Sequence, residues 1–423
     1  MQGVLEHHIE KPRLSRPRFT DVIWIPVLIA IVVGYIVIAC IDMISGRRLG
    51  MFSLKAATHQ HYLIASGISL GVTIGLSGLY VLLAYQIPHL LIIFSVCLHT
   101  IIALSIAIYY TVNGDALRAF TFGVSALAGI LFYPVFKHQI KEAQTRWIKA
   151  MRVGRKHPSL LFCSVWLTVL TTGYSVLTGL IISASHSRAT GLMHFEELLM
   201  VVVYVSFGGY MQVTLLKAIG RGAVACLYGF LYYSCAKQPT FPLLTGFKQT
   251  ITYSLGSLCI MSIIMASVNG LSHGFEYILR VLGSMNIRLE ILLVCSTIST
   301  VITVFDWVFQ LLSLFITIHV MIYNLTYVQA MREAVEYLSK QFTVELLTGG
   351  VYLVICHSVG VLCSFVCRIY LQRYGLEQKL MTSFVKIAAV QICGAALSPL
   401  ITGVQTLSIL EWEAGQSGPP VDS

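Results

Sequence analysis

An acidic residue inside a long apolar segment is the first position in this sequence that could do chemistry. Asp306 stands beside Trp307 near the middle of residues 288–324, which are otherwise mostly apolar. A carboxylate in hydrocarbon usually marks a functional site or has a buried partner. If this segment crosses a membrane, Asp306 could balance a bound cation. In the alternative, it caps a re-entrant turn at the membrane interface.

A second candidate surface is a stripe of small and polar residues on an apolar helix. Residues 252–270 contain no charged residue, and helical spacing collects one row of small or polar side chains: Thr252, Gly256, Cys259, Ser262, Ala266, Asn269 and His273. In a bilayer, such a face meets another helix or a water-filled path. Gly256 and Ser262 are therefore candidates for lining a permeation path, with plain helix packing as the alternative.

The composition indicates what kind of elements must hold these residues. Hydrophobic residues make up 57% of the 423-residue chain and charged residues only 11%, whereas about a quarter of the residues of soluble proteins are charged. Many uncharged windows exceed the roughly 18–20 residues that a helix needs to cross a bilayer. The sequence therefore predicts an all-α, polytopic membrane protein that has the lipid bilayer as a partner and no separate soluble domain.

The basic residues predict the orientation of the chain in the membrane. The formal net charge is +10, but aromatic residues are not interleaved with the Lys and Arg as in a nucleic-acid-binding module, so we expect no nucleic acid partner. Lys and Arg favour the cytoplasmic side. They are concentrated in residues 1–21, before the uncharged run 22–41, and in the loop expected at 137–158. We predict that the N-terminus and this loop are cytoplasmic and that 22–41 is a retained transmembrane helix.

The apolar segments predict ten to twelve transmembrane helices. They occupy a transmembrane domain at residues 22–410, between a cytoplasmic segment at 1–21 and a disordered tail at 411–423 that is rich in Gly, Pro and acidic residues. Low hydrophobicity of this kind is typical of disorder.

Three of the apolar segments have less regular patterns. Residues 196–233 are too long for one span at about 1.5 Å per residue, so we expect two helices with Lys217 and Arg221 at a cytoplasmic break between them. Residues 250–271 are expected to form one helix. Residues 288–324 could form either a hairpin or one long tilted helix.

The sequence does not predict a metal, a cofactor or a catalytic centre. Most of the cysteines lie in apolar windows, where Cys behaves as a small hydrophobic residue. Cys363 and Cys367 lie four apart, and His59 with His61 forms a lone H-x-H pair, but neither completes a metal shell. The chain has no Walker A motif and no G-x-S-x-G elbow. We therefore expect neither ATP hydrolysis nor an enzyme.

Three motifs in the second half of the chain resemble those of the choline transporter-like family. Residues 241–266, FPLLTGFKQTITYSLGSLCIMSIIMA, are similar to the family signature in which a basic segment leads into Tyr-Ser-x-Gly-Ser. Residues 217–233, KAIGRGAVACLYGFLYY, resemble a segment that ends in Tyr-Gly-Thr-Trp-Tyr-Tyr. Residues 323–330, YNLTYVQA, resemble a Phe-Asn-x-Tyr-Ala-Tyr-x-Gln element. The chain departs from the family pattern at three positions: Leu231, Met261 and Ala334.

The resemblance implies transport of choline, or of a related small organic cation such as ethanolamine, by facilitated transport or ion exchange, with the plasma membrane as the expected location. A quaternary ammonium group cannot donate hydrogen bonds, so a selective site needs aromatic faces, each worth about 0.5–2 kcal/mol. Tyr228, Tyr232 and Tyr253 lie in the matched motifs and join Asp306 and Trp307 as candidate site residues. The alternative is a seven-helix chemosensory receptor or ligand-gated channel, which the larger number of spans disfavours.

Overall fold

Eleven α-helices make up nearly all of the part of the chain that the structure describes. The computed structural model describes residues 19–48, 56–114, 116–189, 195–233, 239–282, 289–375 and 379–416. In chain order the helices are α1 (Ile25–Arg48), α2 (Ala56–Gln86), α3 (Pro88–Val112), α4 (Ala116–Lys156), α5 (Ser159–Ala189), α6 (Phe195–Tyr232), α7 (Pro242–Tyr253), α8 (Leu255–Leu282), α9 (Leu289–Tyr323), α10 (Tyr327–Arg373) and α11 (Lys379–Gln416).

Most of these helices have the length and composition of membrane spans. Among the described residues, eight helices are long and apolar enough to cross a bilayer, and α7 with α8 forms a ninth span that is bent by 78°. Large apolar side chains such as Ile29, Val112 and Phe162 are exposed on the surface of the bundle, as lipid-facing side chains are. The prediction of an all-α polytopic membrane protein is confirmed.

Several helix ends meet at one end of the bundle, which we call the basic end because it holds the Lys- and Arg-rich half of α4. Lys149 of α4 forms an ion pair with Glu411 near the end of α11, at 3.1 Å. Two residues further along α11, Glu413 accepts a hydrogen bond from the hydroxyl of Tyr323, the last residue of α9. The ends of α9 and α11 therefore lie beside the basic half of α4.

The N-terminal side of α1 lies at the same end. The backbone N–H of Tyr327, the first residue of α10, donates to a carboxylate oxygen of Asp21 at 2.8 Å. Arg155 of α4 donates to the carbonyl oxygens of Tyr85 and Gln86 at the end of α2. The starts of α1 and α10 and the ends of α2 and α4 therefore lie at the basic end.

The helix expected at residues 250–271 is divided in two, so that prediction was wrong. α7 and α8 meet at Ser254 with the bend already given. The carbonyl oxygen of Tyr253 accepts the backbone N–H of Thr20 at 3.0 Å, and Asp21 accepts the hydroxyl of Ser257 at 2.6 Å. These contacts come from a segment more than 200 residues away, so local hydropathy carries no sign of them.

The segment at 196–233, by contrast, is one continuous helix. α6 contains 38 residues, and Lys217 and Arg221 are buried inside it, with 7% and 5% of their surface exposed. The prediction of a cytoplasmic break at these two residues was therefore wrong. The segment at 288–324 could have been a hairpin or one long helix. Its described part is one helix, α9, of 35 residues.

Two segments that were expected to be non-helical are also helical. α4 continues to Lys156 with one kink at Phe136, and after the kink every third or fourth residue is buried, as in an amphipathic helix. Residues 137–156 are therefore not a loop. α11 continues to Gln416, so residues 411–416 are not part of a disordered tail, and residues 417–423 lie outside the described residues.

α11 occupies the centre of the bundle. It packs against α2, α4, α5, α6, α9 and α10. A polar side chain on α11 therefore faces other helices rather than lipid, and hydrogen-bonding groups there must find partners inside the protein.

Candidate functional site

A row of polar side chains runs along one buried face of α11. Gln391, Ser398, Thr402 and Gln405 are each at most 5% exposed, and their spacings of seven, four and three place them on the same side of a helix. From Gln391 to Gln405 the row covers about 21 Å at 1.5 Å per residue. It thus crosses much of the membrane through the centre of the bundle.

A pair of buried cations on α6 faces this row. Lys217 donates a hydrogen bond to the side-chain oxygen of Gln391. Arg221, one turn further along, donates to the hydroxyl of Ser398 at 2.7 Å and also reaches Ser313 of α9 and Tyr352 of α10, each at 3.3 Å. All of these partners are neutral. The pair therefore ties α6 to three other helices without a salt bridge.

An acidic group lies close to these two cations. Asp306 of α9 is buried and accepts hydrogen bonds from the side-chain amides of Asn269 on α8, at 2.6 Å, and of Gln310, at 2.9 Å. It is near enough to Lys217 to attract it electrostatically. Because Asp306 lies inside a continuous helix, it does not cap a re-entrant turn. The structure therefore leaves the alternative in which it balances a cation.

Trp307 lies beside this acid but points to a different neighbour. Its half-buried ring packs edge-on against the ring of His357 on α10, with 5.7 Å between the centroids. Two of the sequence-derived candidates, Asp306 and Trp307, are therefore held near the middle of the bundle between α8, α9 and α10.

A second charged cluster lies nearer the basic end. Glu345 of α10 is fully buried and accepts hydrogen bonds from Arg146 of α4 at 2.5 Å, from the hydroxyl of Tyr337 at 2.7 Å and from Thr348 at 3.0 Å. Arg146 also donates to Ser408 of α11 at 3.1 Å. Burial acts to lower the pKa of Arg146, but Glu345, Tyr337 and Glu142 together outweigh this effect and the pKa is raised. The cluster is therefore a charged pair that joins three helices.

The aromatic candidates from the sequence do not gather around Asp306. The hydroxyl of Tyr228 donates to the carbonyl of Ala150 at 2.9 Å, and its ring lies against Gly403, where a β-carbon would be 2.6 Å from it. Tyr232 packs edge-on against Tyr233, with 5.4 Å between the centroids. These two side chains lie near the basic end and take part in helix packing.

Tyr253 and the stripe that follows it also make packing contacts. The ring of Tyr253 lies 5.0 Å from that of Phe19. A β-carbon on Gly256 would lie 2.2 Å from the carbonyl oxygen of Asp21, and the hydroxyl of Ser262 donates to the carbonyl of Leu258 in its own helix at 2.8 Å. These contacts favour the packing interpretation of the stripe, except at Asn269, which reaches Asp306.

Sequence reasoning missed the polar face of α11 and the roles of Lys217 and Arg221. The signal on α11 was of the same kind as on α8, namely polar residues at helical spacing in an apolar span. The partners of the two cations lie on α9, α10 and α11, so no local pattern could have identified them.

Two other features of the described residues have no part in this arrangement. An apolar cavity of about 310 Å³ lies between α3 and α4, where it is lined by residues such as Ile92, Val96 and Ile130. Among the described residues, none that lines it belongs to α11. Within the described ranges no three His, Cys, Asp or Glu side chains are grouped as metal ligands would be.

Comparison with known proteins identifies relatives for most of this architecture. The chain is 23% identical over 265 residues to the protein PNS1 of Mycosarcoma maydis, covering 59% of this chain and 50% of that protein. It is 26% identical over 292 residues to PNS1 of Debaryomyces hansenii, covering 64% and 57%. A match to pns1 of Aspergillus fumigatus, at 23% identity, covers 95% of this chain and 81% of that protein.

The chain spans about half the length of the first two relatives. A family described as plasma-membrane choline transporter matches residues 120–411, which include α6, α8, α9, α10 and the polar face of α11. Because this match covers well over half of the sequence, the chain belongs to the choline transporter-like family of membrane proteins.

Proposed function

We propose that this chain carries choline, or a related small organic cation such as ethanolamine, across a membrane without ATP hydrolysis. The observation that carries the proposal is the layered polar interior of the bundle, in which Asp306, the α6 cations and the polar face of α11 lie inside membrane-spanning helices. Buried charges of this kind mark substrate or ion pathways in membrane proteins. The family membership supports choline as the substrate.

The chemistry of the substrate assigns separate tasks to the groups along this interior. A quaternary ammonium group gains from a carboxylate and from aromatic faces, because it cannot use hydrogen-bond acceptors in the usual way. Asp306 is the group that fits the cation, and the ring of Trp307 lies beside it in the chain but faces His357. The amides of Asn269 and Gln310 hold the carboxylate in place when no cation is bound.

Transport through such a site needs no covalent chemistry and no cofactor. Binding at one face of the bundle, a change in helix packing and release at the other face are sufficient, as in other secondary transporters. The plasma membrane is the location that the family description supports.

Uptake of labelled choline by proteoliposomes that contain the purified full chain tests the proposal. We expect saturable uptake that Asp306→Asn lowers at least tenfold, because the isosteric amide removes the negative charge that balances the cation. Glu336→Gln is the matched control, since Glu336 is exposed and pairs with Lys340 on its own helix, and it should leave uptake unchanged.

Three results would count against this function. Uptake no faster than in empty vesicles would refute transport of choline. Equal uptake by Asp306→Asn and the unmodified chain would remove Asp306 from the site. A choline-evoked current without saturable uptake would support a ligand-gated channel instead.

A further inference from the structure

A buried side-chain amide on α11 has no partner among the described residues. Gln405 is 0% exposed, yet neither its Nε2 nor its Oε1 makes a hydrogen bond. Leaving a buried polar group unpaired costs about 1–3 kcal/mol, and buried polar groups without partners are uncommon in native proteins. An unpaired donor and acceptor on the same amide therefore indicate a position that another molecule can complete.

The surroundings of Gln405 place it on the proposed path. Gln405 lies about 10 Å along α11 from Ser398, the partner of Arg221, and about 4.5 Å from Ser408, the partner of Arg146, at 1.5 Å per residue. It is thus between two charged layers, one formed by Lys217 and Arg221 and the other by Arg146 and Glu345. Gly349 of α10 lies opposite: a β-carbon there would be 2.9 Å from Nε2 of Gln405. The same β-carbon would lie 2.2 Å from Cδ1 of Leu311, so the glycine lets Leu311 and the amide of Gln405 pack close to α10.

The chemistry of a primary amide suits a hydroxyl group. The amide offers an N–H donor and a C=O acceptor side by side, and a hydroxyl can accept from the first while it donates to the second. A trimethylammonium group could satisfy neither. The amide therefore matches the hydroxyl end of an amino alcohol and not its cationic end.

We propose that Gln405 is a specificity-determining residue that binds the hydroxyl group of an amino alcohol substrate as it passes between the two charged layers. The inference rests on the proposed function and deepens it. It assigns the cationic end and the hydroxyl end of the substrate to different groups, Asp306 and Gln405, at different depths in the membrane.

Competition between choline and propyltrimethylammonium tests the assignment, because the second compound replaces the hydroxyl by a methyl group. In proteoliposomes we expect the unmodified chain to prefer choline at least tenfold in kcat/KM, since a site that hydrogen-bonds a hydroxyl rejects an analogue without one. Gln405→Met, which is similar in volume, should bring this ratio close to one by slowing choline uptake alone. Thr171→Val, which removes another buried, unpartnered hydroxyl, should leave the ratio unchanged.

The failures of the two proposals can be told apart. If the unmodified chain does not transport choline, the proposed function fails and the inference falls with it. If it does, but Gln405→Met keeps the preference for choline, the inference alone is refuted.

Thermal unfolding supplies a readout that does not depend on transport. Because the amide makes no hydrogen bond in the described structure, Gln405→Met should unfold at the same temperature as the unmodified chain or higher. A fall of several degrees, or failure of both Gln405→Met and Gln405→Leu to fold, would show that the amide has a structural partner and would overturn the assignment.

Discussion

At the scale of single residues, the interior is organised by charges that other helices satisfy. Glu345 is an example, because it is fully buried and accepts hydrogen bonds from three side chains. Moving an ion out of water costs several kcal/mol, and only a close partner and further hydrogen bonds offset that cost. The pair of Glu345 and Arg146 is therefore sensitive to the loss of either member.

Replacing Arg146 by Met should lower the free energy of unfolding by about 3–5 kcal/mol, because Glu345 would stay buried without its counter-charge. Denaturation of the detergent-solubilised chain measures the loss. Adding Glu345→Gln to this variant should recover part of the stability, since the neutral amide costs less to bury.

An exposed pair supplies the matched control. Lys340 and Glu336 lie 2.9 Å apart on the surface of α10, with about half of each side chain exposed, and exposed pairs contribute about 0–1 kcal/mol. Lys340→Met should therefore have little effect. Equal losses from Arg146→Met and Lys340→Met would contradict the role given to the buried pair.

At the scale of elements, the junction of α7 and α8 depends on the segment before α1. Asp21 accepts hydrogen bonds from Ser257 of α8 and from the first N–H of α10, where a negative charge also suits the helix N-terminus. The matched Tyr-Ser-x-Gly-Ser motif is thus the docking surface for residues 20 and 21. Its glycine allows the close approach of the two backbones.

Gly256→Ala should destabilise the fold by about 1–3 kcal/mol, the usual cost of overpacking. The added β-carbon would lie 2.2 Å from the carbonyl oxygen of Asp21, so one of the two backbones must move. Hydrogen exchange should become faster at the start of α8 and at the start of α10.

Gly270 on the same helix is the matched control. A β-carbon there would meet nothing within 4 Å, and Ala is favoured over Gly in a helix by about 1 kcal/mol. Gly270→Ala should therefore be neutral or stabilising. If both substitutions have the same effect, the docking of Asp21 does not limit stability.

At the scale of the whole molecule, the contacts place the N-terminal side of α1, the basic half of α4 and the ends of α9 and α11 at one end of the bundle. The excess of Lys and Arg there predicts that this end faces the cytoplasm. The turn between α3 and α4 lies at the opposite end of the bundle.

Thiol labelling of intact cells tests this orientation. Cysteine at Lys149, which is half exposed at the basic end, should not react with an impermeant reagent. Cysteine in place of Asn113, which is exposed in the turn between α3 and α4 at the opposite end, should react. For the same reason the sequon at Asn324, in the turn between α9 and α10, should carry no glycan. The opposite labelling pattern, or a glycosidase-sensitive mass at Asn324, would show that the topology is inverted.

The sequence by itself determined the class of the protein, whereas the ten to twelve spans that it predicts compare with eight or nine among the described residues. Charge is costly in hydrocarbon, so long uncharged windows identify membrane helices from the local sequence alone. The same reasoning predicts that the basic segments lie outside the hydrocarbon, and the three motifs identify the family. These properties are readable because each depends on residues that are close together in the chain.

Tertiary structure decided where helices break and which polar residues face one another. α6 is continuous through Lys217 and Arg221 because Gln391, Ser398 and Tyr352 satisfy them from other helices. α7 and α8 are separate because Thr20 takes the carbonyl of Tyr253. Partners this distant in sequence leave no periodic signal. For that reason hydropathy could find the span that holds Gln405, but only the packing of α11 at the centre of the bundle shows that its amide is buried without a partner.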